Sequence, residues 1–160
     1  MNNPDLLLQI VLAQARSIGI PVSHQIDPHV RMNRRAATRF GCCMKRQGRF
    51  IIELSERFLL SEEIACRQTL AHEVLHTCPN CQNHQARWRS YAMAMNDHFG
   101  YSIRRTQSGE ELGVEPFGTP RYLLECQKCG AQLRRMRRSS LVDHPERYRC
   151  RCGGGFLRKL

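Results

Sequence analysis

The stretch TLAHEVLHTCPNCQNH, Thr69 to His84, brings together three histidines, one glutamate and two cysteines. His72 and His76 lie four residues apart, so on a helix their rings project from the same face about one turn from each other. Glu73 directly follows the first of them. This spacing predicts a helix that can present two imidazoles to a single metal ion.

The pattern HExxH combines metal ligands with a base. Its two imidazoles bind Zn²⁺, and its glutamate accepts a proton from water that the metal has made more acidic. A catalytic zinc also needs a third protein ligand and an open position. His84 is the best candidate, because the break at Pro79 lets the chain turn back toward the metal, and Asp97 is the alternative. The predicted site therefore consists of Glu73 as the general base and three zinc ligands, His72, His76 and His84.

Two cysteines of the CPNC segment, Cys78 and Cys81, leave three interpretations open. They shape the loop, which we favour, or form a redox pair, or bind the metal as thiolates. Thiolate ligation would close the site and make it structural, which would leave Glu73 without a purpose. Three other cysteines are predicted to be small buried hydrophobic residues, Cys42, Cys43 and Cys66.

Size and composition limit what the chain can be. With 160 residues it has room for one domain and a small appendage. No apolar run approaches the roughly 20 residues that span a bilayer, and the N-terminal segment lacks the basic residues of a signal peptide. We therefore expect a cytoplasmic monomer without membrane contact. In a reducing compartment, the nine cysteines favour metal ligation over disulfides.

A second cysteine cluster lies near the C-terminus. Cys126 and Cys129 form a CxxC knuckle followed by glycine, and Cys150 and Cys152 form a CxC knuckle followed by three glycines. Two such knuckles can enclose a metal in a tetrahedral Cys₄ zinc ribbon with no open position. The sequence therefore predicts two Zn²⁺ per chain, one catalytic and one structural.

Positive charge is concentrated in the same part of the chain. Residues 121–160 hold 11 basic against 3 acidic residues, a net of +8, whereas residues 1–120 hold 14 against 11, a net of +3. This asymmetry indicates a polyanionic partner, most often nucleic acid. Four arginines between the knuckles are predicted to contact DNA phosphates independently of base sequence, Arg134, Arg135, Arg137 and Arg138. Three aromatic residues either pack around the metal core, which we favour, or stack on bases, Tyr122, Tyr148 and Phe156.

The residues before the motif predict a helix and a small sheet. Pro4 and apolar residues at helical spacing predict a helix from Pro4 to Ile18. The segments HVRMN, TRFGCCMKR and RFIIELS predict a small sheet with one hairpin, whose turn is Gln47-Gly48. Ser61 is predicted to cap a helix from Glu62 to His76.

The residues after the motif predict another helix and a connecting segment. The helix runs from near Asn83 to Gly100, a residue that suits a C-terminal stop. Within it, Trp88 and Tyr91 either pack in the core, as their spacing favours, or line the cleft. Thr106 to Pro120 is rich in glycine, proline and polar residues, which predicts a linker or a draped loop.

These motifs, in this order, resemble the SprT-like zinc metalloprotease family, which is related to the Spartan proteases that degrade proteins crosslinked to DNA. The resemblance is carried by TLAHEVLHTCPNCQNHQARW, by RFIIELSERFL before it, and by YLLECQKCG and YRCRCGG after it. It covers about Asn33 to Phe156. One departure is Gln85, because many family members have glycine directly after the third histidine.

The resemblance implies an α+β fold, with a compact zincin-like metalloprotease core of helices and a small sheet, followed by a zinc ribbon. The expected division is a core at residues 1–105, a linker at 106–120 and the ribbon at 121–160. The implied function is a hydrolase in DNA repair that cleaves proteins, with DNA as the scaffold that brings them to the site. The alternative is a zinc-containing DNA-binding protein without catalytic activity.

Overall fold

The computed structural model describes residues 1–35, 39–114, 121–135 and 137–160, and only the backbone of Glu110. The chain divides into two compact units, Met1–Glu115 and Pro116–Leu160. Within the described ranges, none of the helices is both long enough and apolar enough to cross a membrane. Helices and small sheets occur together, which confirms the predicted α+β class.

The first unit begins with helix α1, Pro4–Ser17. The side chain of Asn3 caps it by accepting a hydrogen bond from the backbone N–H of Leu6, and Pro4 occupies the first turn. The predicted end at Ile18 is correct to within one residue. The apolar face of α1 is buried in the core through Leu7, Leu8, Val11, Leu12 and Ala15.

A three-stranded sheet follows α1. Its strands are β1 (Arg31–Asn33), β2 (Gly41–Arg46) and β3 (Arg49–Ser55), and their order in space is β1-β3-β2. Strands β2 and β3 form the predicted antiparallel hairpin, and its turn residues Gln47 and Gly48 have φ values of 51° and 76°. Two positive φ values are typical of a type I′ turn, which matches the twist of the strands. Strand β1 pairs with β3 in parallel, so β2 lies at an edge of the sheet.

A 3₁₀ helix, Glu56–Leu60, connects the sheet to helix α2, Glu63–Leu75. The predicted cap of α2 is therefore wrong by one residue, since Glu62 is the N-cap and makes no side-chain cap hydrogen bond. Ser61 instead ends the 3₁₀ helix, and its hydroxyl donates to the Phe58 carbonyl at 3.0 Å.

Helix α3, Ala86–Phe99, begins three residues later than predicted. Gly100 ends it in the left-handed conformation with φ of 70°, as expected for a C-terminal glycine. The side chain of Asn96 then accepts from the Ile103 N–H at 2.7 Å and donates to the Ile103 carbonyl at 3.1 Å. These two bonds hold the segment after α3 against the helix.

The segment predicted as a linker or draped loop is structured in its first half. Residues Gly109–Leu112 form a short helix, α4. Leu112 and Val114 are buried in the core of the first unit. The second half of the predicted linker, residues 115–120, lies outside the described residues.

The second unit is a small antiparallel sheet. Its strands are β4 (Tyr122–Cys126), β5 (Gln132–Arg135) and β6 (Leu157–Lys159), in the order β5-β4-β6. A short helix α5 (Ser140–Asp143) and a 3₁₀ turn (Pro145–Arg147) lie between β5 and β6. Among the residues of this unit that the structure describes, few apolar side chains are buried, chiefly Leu124, Val142 and Leu157. Units this small usually need a metal or disulfides to hold a fold.

The 3₁₀ helix offers a test of this packing. Phe58 is fully buried, and its ring packs edge-on against that of Phe40, with 6.0 Å between the ring centres. Leu60, two residues later, is 86% exposed. Phe58→Ala should lower the free energy of unfolding by about 3–5 kcal/mol, since it leaves a cavity. Leu60→Ala should change it by less than about 0.5 kcal/mol. Chemical denaturation of both variants measures the difference, and equal effects would contradict the packing described.

Candidate metal centre and active site

Helix α2 and the loop before α3 bring three histidines together. The ligand nitrogens of His72, His76 and His84 all lie within 4.8 Å of one another. Nε2 of His72 and Nε2 of His84 are 2.9 Å apart, somewhat less than the edge of about 3.3 Å expected for a Zn–N tetrahedron. Asp97, the alternative third ligand, is exposed on α3 and is not part of this cluster.

Two backbone carbonyls orient the helical histidines. Nδ1 of His72 lies 3.0 Å from the carbonyl oxygen of Arg104, and Nδ1 of His76 lies 2.7 Å from that of Cys81. A carbonyl only accepts hydrogen bonds, so each Nδ1 must carry the proton. Each Nε2 therefore keeps a free lone pair for a metal, which is the usual arrangement of a metal-ligating histidine.

The CPNC segment forms the turn that carries one of these carbonyls. The Cys81 N–H donates to the Cys78 carbonyl at 3.2 Å, and both thiols are buried in the core. Neither belongs to the cluster of histidine ligand atoms. Burial raises the pKa of Cys78 to about 12, which disfavours the thiolate that redox chemistry and metal binding need. These features favour the interpretation that the pair shapes the loop.

The other cysteines of the first unit differ in burial. Cys66 is fully buried, as predicted. Cys42 and Cys43 are only half-buried, and both line the cleft beside the edge strand β2. The prediction that both are buried is therefore wrong.

Burial also sets the protonation of the three histidines. It lowers the pKa of His72 to about 4, with a further contribution from His76 and His84. It is also the largest cause of the lowered pKa values of His76 and His84, and in His84 the charge of Arg105 adds to it. All three rings are therefore neutral at pH 7, which is the form that binds metal ions.

Glu73 lies beside the three histidines and is 8% exposed. Burial raises its pKa to about 8, and the nearby charge of Arg39 opposes that rise. A metal ion held by the histidines would add positive charge close to the carboxyl group and favour its ionised form. Glu73 is thus placed to exchange a proton with a group bound in the cleft.

The cleft extends to both sides of the histidines and Glu73. One lobe, of about 240 Å³, is lined by Phe40, Arg105 and Leu112 among others. The other, of about 410 Å³, is lined by residues that include Lys45 and Phe50. Both lobes share three residues, Gly41, His72 and Glu73. Residues of the candidate site therefore line both lobes.

Trp88 packs against the rings of all three histidines. It is 1% exposed, and its ring centre lies 4.8 Å from that of His72, 5.7 Å from that of His76 and 4.6 Å from that of His84. Its helical spacing correctly indicates a core position. No sequence pattern predicts its contact with all three imidazoles. The same is true of the hydrogen bonds that the carbonyls of Arg104 and Cys81 make with the histidines.

The four cysteines of the second unit also converge. The Sγ atoms of Cys126 and Cys152 are 3.7 Å apart, as are those of Cys129 and Cys150. All four lie within 4.8 Å of one another. A tetrahedron with Zn–S distances of about 2.3 Å has edges of about 3.8 Å, so the spacing fits a metal ion bound by four thiolates.

The backbone around these sulfurs supports metal binding. Backbone N–H groups of Cys129 and Lys128 point at Cys126 Sγ, the latter at 3.4 Å, and lower the pKa of that thiol, whereas hydrogen bonds from the neighbouring thiols raise the pKa of Cys129. A Cβ on Gly155 would overlap Cys126 Sγ and lie 3.3 Å from Cys152 Sγ. Glycine is required there because the two knuckles close tightly around one point.

Three of the four predicted DNA-contacting arginines are exposed without an acidic partner among the described residues, Arg134, Arg135 and Arg137. Arg138 differs, since its Nε donates to Asp143 Oδ1 at 2.7 Å. Phe156 is 55% exposed, and the guanidinium of Arg149 lies 3.8 Å from its ring centre. Phe156 therefore lies at the surface, not within the metal core as expected.

Comparison with protein families matches the chain to the SprT-like family over residues 14–107. A search of the curated proteins finds no relative that matches. The matched residues make up more than half of the chain and include the sheet, α2, α3, the three histidines and Glu73. The family suggests a metallopeptidase-like fold, in agreement with the geometry of the site. The chain therefore belongs to the SprT-like family.

Proposed function

We propose that this protein is a zinc-dependent metallopeptidase that cleaves proteins associated with DNA or crosslinked to it. The observation that carries the proposal is the convergence of three neutral imidazoles beside a buried glutamate in an open cleft. Structural zinc sites have four protein ligands, whereas catalytic sites have three and an open position. The histidine cluster belongs to the second type.

Zinc held by His72, His76 and His84 would supply a Lewis acid that polarises the scissile carbonyl and acidifies the attacking water. Glu73 accepts a proton from that water while the oxygen of the water bonds to the carbonyl carbon. As the C–N bond breaks, Glu73 passes the proton to the leaving nitrogen. The carbonyls of Arg104 and Cys81 keep two of the imidazoles in the tautomer that leaves Nε2 free.

The cysteine cluster is proposed to hold a second, structural zinc. Four thiolates leave no open position for a substrate or water. The small buried core of the second unit supports this role, because a metal would supply stability that so few apolar side chains cannot.

DNA is the proposed scaffold for substrate delivery. Support comes from the net charge of +8 in residues 121–160 and from the exposed arginines of and beside β5. Contacts between arginine and phosphate do not depend on base sequence, so such a scaffold would accept many DNA sequences. Proteins bound or crosslinked to DNA would then be held near the cleft at high local concentration.

The alternative of a non-catalytic DNA-binding protein is less well supported. A structural role for the histidine site would require a fourth ligand to close it. Among the described residues, no cysteine, aspartate or glutamate joins the three histidines in the cluster of ligand atoms. A carboxyl group buried beside the metal position also has no purpose in a purely structural site.

The first test removes the base. Glu73→Gln keeps the shape of the side chain, and hydrolysis of an unfolded protein should fall by at least ~100-fold because no group accepts the proton. Zinc content should not change, since Glu73 is not among the ligand atoms. Asp97→Asn, an exposed position on α3, is the control and should retain full activity. Undiminished hydrolysis by Glu73→Gln, at zinc content equal to wild type, would remove the proposed mechanism.

The second test counts metal ions in the intact chain. Wild type should contain two zinc ions, His84→Ala one and Cys152→Ser one, because each variant disables a different site. Cys42→Ser alters a cysteine outside both clusters and should retain two. A chelator should empty the histidine site first, since four thiolates hold zinc more tightly. A single zinc ion in the wild-type protein would contradict the two-site proposal.

The third test concerns DNA. Replacing Arg134, Arg135 and Arg137 with alanine should flatten the plot of log affinity for duplex DNA against log salt by up to about 3 units, one per lost phosphate contact. Arg138→Ala is the control and should flatten the slope by clearly less than the one unit or so expected for one lost phosphate contact, because this guanidinium is paired with Asp143. Superimposed titrations of the wild type and the triple variant would show that the arginines are only a solvated surface.

A further inference from the structure

Gly41, the first residue of the edge strand β2, lies against the side chain of Glu73. A Cβ at this position would lie 3.0 Å from Cγ and 3.0 Å from Oε1 of Glu73, and 3.3 Å from the carbonyl oxygen of Glu53. Carbon atoms in favourable contact are about 3.5–4.0 Å apart. The space beside the carboxyl group therefore exists only because residue 41 has no side chain.

The backbone of Gly41 does not itself require glycine. Its φ is not positive, and it pairs with Leu54 in the ladder between β2 and β3. Glycine inside a strand is less favourable than alanine, since more backbone freedom is lost on folding. Glycine in a strand commonly marks a place where another group approaches closely, and here that group is Glu73.

The surroundings favour one way to relieve such a contact. The main chain of Glu73 is held by α2, in which Leu70, Ala71 and Val74 are fully buried. The Glu53 carbonyl belongs to β3, whose position is set by pairing with both β1 and β2. A methyl group at residue 41 would therefore displace the Glu73 side chain from the point where the two lobes of the cleft meet.

We infer that Gly41 is a positioning residue for Glu73. Because Gly41 has no side chain, the Glu73 carboxyl group can lie against its backbone, at the junction of the two lobes and beside the histidine cluster. The catalytic consequence rests on the proposed function of Glu73 as the base. The steric relation between the two residues does not depend on that proposal.

A stability cycle tests the steric relation. Gly41→Ala is made in the wild type, in Glu73→Gln and in Glu73→Ala, and the midpoint of thermal unfolding is measured. The substitution should lower the midpoint in the wild type and in Glu73→Gln, because both backgrounds keep an atom at the Cγ and Oε1 positions of residue 73. In Glu73→Ala these atoms are absent and only the contact with the Glu53 carbonyl at 3.3 Å remains, so the midpoint should fall by clearly less than in the first two backgrounds. An equal shift in all three backgrounds would overturn the inference.

Kinetics test the positioning role. Gly41→Ala should lower kcat by about threefold to tenfold with zinc content unchanged, since the added methyl moves the carboxyl group by a few tenths of an ångström and a misplacement of about 1 Å costs roughly 100-fold. KM should rise much less, because the loss arises in the chemical step. Gly109→Ala is the control, as its added methyl would meet Val114 O at 3.4 Å and the Phe40 ring at 3.7 Å, which are ordinary contacts.

The two measurements separate this inference from the proposed function. An unchanged kcat in Gly41→Ala, in an active enzyme, would overturn the positioning role. If the stability cycle shows the expected coupling but the zinc-loaded wild type hydrolyses no protein, the placement of Glu73 by Gly41 is supported and the peptidase proposal fails.

Discussion

Helix α2 is packed between α1, α3 and the strands β2 and β3, and nine of its thirteen residues are buried. This packing holds His72, Glu73 and His76 in one orientation, and it removes water from around them. Loss of water keeps the imidazoles neutral and raises the pKa of Glu73. The same burial that stabilises the first unit therefore also sets the charge state of the histidines and of Glu73.

Segments far apart in the chain complete the site. His84 comes from the loop before α3, and the carbonyls that orient His72 and His76 come from Arg104 and Cys81. The Asn96 side chain binds both backbone groups of Ile103 and so holds the neighbouring Arg104 carbonyl in place. Helix α3 therefore supports the histidine cluster twice, through this connection and through Trp88, whose ring packs against the imidazole rings.

The sequence predicts the elements and the ligands where the signal is local. The spacing of His72 and His76 identifies a helix face, the two cysteine knuckles identify a Cys₄ cluster, and Gln47-Gly48 identifies a hairpin. The 3₁₀ helix that displaces the expected cap at Ser61 was not predicted, because serine is favoured at helix starts and nothing else in the local sequence indicates that a preceding turn ends at this residue. Gly41 and the two carbonyls were also missed, since their roles arise from tertiary contacts and any residue type supplies a carbonyl.

The most direct measurement of the central claim uses Trp88, the one tryptophan in the sequence, whose ring centre lies within 5.7 Å of all three histidine rings. Zinc is added to protein whose histidine site has been emptied by a chelator and whose cysteine site remains filled. Tryptophan fluorescence should change as zinc is added and reach a plateau at one zinc ion per chain. Hydrolysis of an unfolded protein should recover in proportion to the fluorescence change. Fluorescence that does not respond to zinc, or hydrolysis that does not follow the occupancy it reports, would contradict the claim that these histidines hold the catalytic metal.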